Sequence, residues 1–204
     1  MSSPVNCVKD QKCENRRPGR LIIYSGPSGV GKGTILKQLL ETDPWLWLSV
    51  SVTTRQPRPG EVDGVHYHFI SQEVYDRLVA EDGMLEHAVY SSASYGTPRR
   101  PVEERLAAGY NVVLEIDVQG AFQVKEKCPD ALMIFILPPS VEVLRHRLVE
   151  RNTETPQAVE RRMAAAVKEL ELAGRYDYQV VNDRLEDAVD QVRQILCRET
   201  CCKA

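Results

Sequence analysis

Apolar residues in this chain gather into short, nearly unbroken runs separated by longer stretches with a helical repeat. The runs Leu21–Ser25, Leu48–Thr53, Tyr67–Ile70, Leu85–Tyr90, Asn111–Ile116, Ala131–Leu137 and Tyr178–Val181 predict strands. Between many of them, apolar positions at helical spacing predict helices over Gly31–Leu40, Gln72–Glu81, Val102–Ala108, Val141–Glu150, Gln157–Ala173 and Leu185–Cys197. Val112-Val113-Leu114 and Leu132–Leu137 lack the alternation of a strand with one wet face. That is expected of parallel strands covered on both sides. Strands alternating with helices predict an α/β fold with a right-handed wound parallel sheet.

Two stretches interrupt the alternation. Ser49–Thr97 is rich in strand signals and holds a proline- and glycine-bounded loop, Thr53–Glu61. Arg151–Thr155 is a short polar loop, and Thr155 before Pro156 fits a helix N-cap followed by proline at the first helical position. Residues 1–19 are polar and aperiodic and read as a flexible extension, with a domain over 20–197 and a tail over 198–204.

Composition is that of a soluble globular protein, with 43% apolar and 27% charged residues. A net charge of −3 gives no sign of a nucleic-acid surface. No apolar stretch approaches the ~20 residues of a membrane span, and the N-terminal segment lacks the apolar core of a secretory signal, so a cytoplasmic protein is expected. Five of the six cysteines lie in the terminal segments, at spacings that suit neither a zinc site nor a disulfide scaffold. His66 and His68 have no third ligand nearby and read as strand surface residues.

The chemistry begins after the first apolar run, at Gly26-Pro27-Ser28-Gly29-Val30-Gly31-Lys32-Gly33-Thr34. A strand, a glycine loop and a helix start form the context of a phosphate-binding loop. The glycines let successive N–H groups turn toward an anion, the helix adds its positive end, and Lys32 adds a full charge. The usual hydroxyl after the lysine is replaced by Gly33, and Thr34 follows one residue later, which leaves the metal-contacting side chain open. Downstream, Arg55 and Arg58 form a pair of guanidinium forks in a stiff loop, suited to clamping phosphate oxygens, with Tyr67 and Tyr95 as hydroxyl donors. Glu115 and Asp117 alternate along Leu114–Val118 and are expected on one face of a strand near its C-terminal end, where an acid pair can order a metal and its waters.

These motifs together resemble the guanylate kinase family. The likeness runs through the glycine loop, Thr53-Thr54-Arg55-x-Pro57-Arg58-x-Gly60-Glu61-x-x-Gly64-x-x-Tyr67-x-Phe69, Tyr95-Gly96-Thr97, Leu114–Gly120, Pro138-Pro139-Ser140, Arg151–Thr155 and Val181-Asn182-Asp183. It covers about residues 20 to 196, and the arginine–proline segment discriminates it from other nucleotide kinases. The resemblance implies a P-loop three-layer fold with a strand-rich GMP-binding insertion over about 49–97 and a short lid over about 147–162. It implies transfer of a phosphoryl group from ATP to GMP, and to dGMP, in purine nucleotide metabolism, with Mg2+ accompanying ATP. Ser25, the loop Gly26–Thr34 and Asn182 would hold ATP, with Asn182 near the adenine. Ser51, Arg55, Arg58, Tyr67 and Tyr95 would hold the GMP phosphate, Glu61 would belong to the same GMP-binding set, and Glu86, Thr97 and Asp117 would read the guanine. Lys32, Arg55, Arg147, Arg151 and Arg162 would act on the transferring phosphate, the last three as lid residues, although spacing alone does not choose between Arg161 and Arg162. Glu115 would support magnesium through water. The partners expected are small molecules, with no nucleic acid or membrane, and a monomer or homodimer.

Overall fold

β1 (Leu21–Ser25) is buried along its whole length and occupies the centre of a five-stranded parallel sheet. The computed structural model describes residues 18–90, 93–149 and 156–201. Strand order in the sheet is β2-β7-β1-β8-β9, formed by β2 (Leu46–Leu48), β7 (Asn111–Glu115), β8 (Leu132–Leu137) and β9 (Tyr178–Val181). Side chains alternate between two apolar layers. Ile22, Tyr24, Val113, Ile134 and Ile136 face one layer, whereas Leu21, Ile23, Val112, Leu114, Met133 and Phe135 face the other. A continuous apolar run and a two-sided sheet are thus one fact, because period-2 alternation between two dry faces leaves no polar position.

Helices cover both faces. On the first lie α1 (Lys32–Thr42), α5 (Val141–Val149), α6 (Pro156–Glu171) and α7 (Leu185–Cys201), through residues such as Ile35, Leu39, Leu148, Met163 and Val192. On the second lie α3 (Arg99–Ala107) and α4 (Val118–Lys127), through Val102, Val118, Ala121 and Val124. The chain leaves β1 toward β2, returns to β7, then crosses to β8, so the order reverses around β1 and opens a crevice at the carboxyl ends of the strands.

A second, four-stranded sheet of order β4-β3-β6-β5 is inserted between β2 and α3, from β3 (Val52–Thr53), β4 (His68–Phe69), β5 (Met84–Tyr90) and β6 (Ala93–Pro98). With α2 (Gln72–Ala80) it encloses a small core of Val52, Tyr75 and Met84. The run Leu48–Thr53, expected as one strand, is instead two. Leu46–Leu48 pairs with β7 and Val52–Thr53 with β4 and β6, and the intervening serines carry the chain from one sheet to the other. An apolar run reports burial, not the partner strand, so the break was not legible.

Two elements lie where none was expected. β6 reads Ala-Ser-Tyr-Gly-Thr-Pro, without an apolar run, and is held by its ladders to β3 and β5. α4 is N-capped by Asp117, whose Oδ1 accepts from Gly120 N at 2.8 Å. α3 starts at Arg99, ahead of Val102, with Pro101 tolerated in its first turn.

Ile134 is fully buried and its strand is hydrogen-bonded on both sides. Ile134→Ala is expected to lower unfolding free energy by about 2–5 kcal/mol, read as a shifted denaturant midpoint with unchanged slope.

Candidate active site

The glycine loop crosses from β1 to α1 at the carboxyl edge of the sheet. Gly26 has φ 148°, and a Cβ there would stand 2.5 Å from the carbonyl oxygen of Ile136, so the loop lies directly against β8. Gly31 has φ 98° and brings no side-chain cap, which leaves the first-turn N–H groups of α1 for another acceptor. Lys32 Nζ donates to the carbonyls of Gly26 at 2.6 Å and Pro27 at 3.3 Å, which holds the ammonium over the loop. Thr34 is exposed on the first turn, and nothing lies within 4 Å of a Cβ placed on Gly33.

Arginines of α5 and α6 contact the loop and its supports. Arg147 donates to the carbonyls of Val30 and Asn182, the latter at 3.0 Å. Arg162 donates to Ser28 Oγ, whereas Arg161 faces solvent, so the structure separates the two neighbours that spacing left open. Arg151 lies outside the described residues, as does the Thr155 cap. Asn182 is buried, its amide donates to Val30 O at 2.8 Å, and it sits under Gly31. Here that side chain braces the phosphate loop. Ser25 Oγ is likewise turned inward, to Ile116 O at 2.9 Å.

Across the cleft, the Arg55 guanidinium forms a two-pronged pair with Glu61, at 2.6 and 2.7 Å, and Glu61 also accepts from Arg58 N at 2.8 Å. These bonds pull the Glu61 carboxyl down to about 2, the arginine contact dominating. In return, Glu61 first and Tyr95 second raise Arg55 above its ordinary value against the opposing cost of burial. Arg55 also stacks 5.1 Å from the Tyr67 ring, which meets Tyr95 edge-on at 5.9 Å. Burial lifts the Tyr67 hydroxyl, so it stays a donor at neutral pH. Arg58 remains exposed beside them.

Glu86 on β5 and Thr97 on β6 are cross-strand partners, and both are buried. Thr97 Oγ1 donates to Glu86 Oε1 at 2.6 Å. Burial raises the Glu86 carboxyl and nearby Asp117 adds to it, whereas the Thr97 bond and Lys127 oppose. β7 ends at Glu115, so the expected placement of Glu115 and Asp117 on one strand face is corrected. Asp117 belongs to the helix cap, since its carboxylate satisfies an otherwise orphan N–H of α4. Both acids nonetheless line one cleft of about 380 Å³ with Gly26, Ser28, Lys32, Ser51 and Tyr67. Glu115 touches water there but has protein on most sides, which raises its carboxyl while Lys32 draws it back.

The same cleft is lined by three polar residues to which the sequence assigned no role, Ser49, His66 and Glu169. His66 accepts from Val62 N through Nδ1 at 3.0 Å, which places it at the cleft mouth rather than on a strand. Glu169 of α6 stands seven residues beyond Arg162, on the same helix face, and that spacing was the available signal. Burial moves its carboxyl up to about 7, with Lys32 pulling down and Asp117 pushing up.

A glycine loop on a central parallel strand, across a cleft from an arginine–tyrosine cluster, is the arrangement of a P-loop kinase acting on a small acceptor. The family model described as guanylate kinase matches residues 18–199. Guanylate kinases of Gloeobacter violaceus and Synechocystis sp. are 56% and 50% identical to this chain, covering 88% and 89% of it and 88% and 95% of their own lengths. The crystal structure of guanylate kinase from Anaplasma phagocytophilum superposes with a TM-score of 0.75 at 34% identity, covering 92% of this chain and 89% of that one. The chain belongs to the guanylate kinase family. No helix among the described residues is long and apolar enough to cross a membrane.

A carboxyl shifted from 4.5 to about 7 in the folded protein keeps its proton between those values, where the unfolded chain has lost it. The stability it contributes is therefore complete below about pH 4.5 and is lost as pH rises through about 7. Thermal melts of the nucleotide-free protein are expected to show Glu169→Gln above wild type at about pH 8 and level with it at about pH 4.

Proposed function

We propose that the chain transfers the γ-phosphoryl group of ATP to GMP or dGMP, giving ADP and GDP or dGDP, with the roles divided across the cleft. One observation carries this reading above the others: a buried glutamate, Glu86, held by Thr97 beside Asp117. A buried carboxylate is costly unless its lone pairs are used, and guanine offers two adjacent donors, N1–H and the exocyclic amine. Adenine presents a lone pair at N1 and would meet the same oxygen unfavourably. A contact of this kind discriminates bases by about 1–3 kcal/mol.

In this reading the Gly26–Thr34 loop and Lys32 hold the ATP phosphates, and Arg147 and Asn182 keep the loop in shape. Arg162, and by family likeness Arg151, neutralise the transferring group from the lid span of about 147–162. The second sheet is the GMP-binding insertion, with Ser51, Arg55, Arg58, Tyr67 and Tyr95 around the acceptor phosphate and Glu61 holding Arg55 in place. The attacking atom is a phosphate oxygen, already anionic at neutral pH, so the site needs alignment and charge neutralisation more than a general base.

The metal fits Mg2+ bound with the nucleotide. Among the described residues no cluster of three or more His, Cys, Asp or Glu could hold an ion alone. Magnesium typically takes phosphates and waters as ligands with one or two carboxylates in support, and Glu115 on the cleft lining beside Lys32 suits support through water. Mg2+ would supply charge neutralisation between the phosphates.

ADP formation measured with GMP, dGMP, AMP, CMP and UMP in turn tests the acceptor. Turnover confined to GMP and dGMP is expected, with Lys32→Ala lowering it by about 100-fold or more. Equal turnover with AMP would overturn the reading. The open space at Gly33 gives a further expectation: Gly33→Ser supplies the hydroxyl usual in such loops and lowers the magnesium concentration for half-maximal rate. A magnesium titration checks it.

A further inference from the structure

We propose that Gly120 is a specificity-positioning residue: its bare Cα lets the first turn of α4 close on Glu86 and sets the carboxylate that meets the guanine. The inference rests on the assignment of Glu86 as the guanine acceptor.

A Cβ on Gly120 would stand 2.8 Å from Glu86 Oε2, 3.2 Å from Cδ and 3.3 Å from Cγ. The whole end of the glutamate side chain thus lies against one backbone carbon. Conformational freedom does not explain a glycine here, because Gly120 is helical and its φ is not positive. Alanine is the better helix former, so only close approach favours glycine at this position.

The strand and helix backbones cannot easily move apart, so the Glu86 side chain must yield, against its bond to Thr97. Oε1 of Glu86 is tied to Thr97. The strand is stitched to the helix on both sides of the contact. His87 N donates to Gln123 Oε1 at 3.1 Å, Gln123 Nε2 returns a bond to His87 O at 3.1 Å, and Lys127 Nζ donates to Met84 O at 3.0 Å. An added methyl group is therefore relieved by rotation of the carboxylate, away from the plane in which it accepts two donors. The same residue holds the second acid, since Gly120 N–H donates to Asp117 Oδ1 at 2.8 Å. One glycine sets the spacing of two carboxylates that interact electrostatically.

Steady-state kinetics of wild type, Gly120→Ala, Glu86→Asp, Glu86→Gln and the double variant Gly120→Ala with Glu86→Asp test this, with thermal melts to establish folding. Gly120→Ala is expected to raise KM for GMP by about tenfold, leaving KM for ATP near wild type and kcat less affected. Aspartate is one methylene shorter and withdraws from the added methyl. The double variant should therefore bind GMP better than the product of the two single losses, and regain any folding that Gly120→Ala loses. Additive losses, equal losses toward ATP and GMP, or a double variant that remains unfolded would each overturn the proposal. If Glu86→Gln leaves KM for GMP unchanged, the assignment of Glu86 fails instead. If Glu86→Gln impairs GMP and Gly120→Ala does not, only the role of Gly120 fails.

Discussion

Two polyanions must be brought to within bonding distance, and their mutual repulsion is the constraint that organises this cleft. The chain meets it by holding its cations in advance. Lys32 rests on loop carbonyls, Arg147 on the carbonyls of Val30 and Asn182, Arg162 on Ser28, and Arg55 on Glu61. A cation already fixed by a neutral or acidic partner loses little freedom when a phosphate arrives, and preorganised charge is worth most in a site that excludes water. The carboxylates complement this. Glu115, Asp117 and Glu169 line the same cleft as Lys32, so its field is mixed rather than uniformly positive.

The two halves of the site have different supports. The phosphate loop is anchored in the buried main sheet, between β1 and β8, with Gly26 against β8 itself. The proposed acceptor half hangs on a small second sheet whose own core holds few residues. It gains rigidity by attachment, through the Gln123–His87 exchange and Lys127, to α4 of the main domain. On the proposed reading, specificity is built where the insertion meets the parallel fold, with α4 a layer of the core whose capping Asp117 also lines the cleft.

Much of this was legible in the sequence because the features are local. The glycine loop follows a strand and opens a helix within nine residues, and the three central strands of the main sheet, β1, β7 and β8, are dense apolar runs. The losses share a cause. β6 is a strand by virtue of its partners, and its small polar residues carry no pattern of their own. The break after Leu48 separates two sheets that a one-dimensional reading merges. Glu169 reached the cleft only through the packing of α6, more than fifty residues from the acids it joins. The contacts of Arg147 and Arg162 with the phosphate loop carried no signal of their own, since either residue alone reads as a solvated helix residue.

The central claim is that one cleft holds an acceptor phosphate on the arginine–tyrosine cluster while its guanine lies on Glu86. A crystal structure with GMP and a non-hydrolysable ATP analogue tests it most directly. The account predicts the GMP phosphate against Arg55, Arg58, Tyr67 and Tyr95, with guanine N1 and the exocyclic amine within hydrogen-bond distance of Glu86. A guanine ring lying away from the Glu86–Thr97 pair, or an acceptor phosphate that leaves Arg55 untouched, would contradict it.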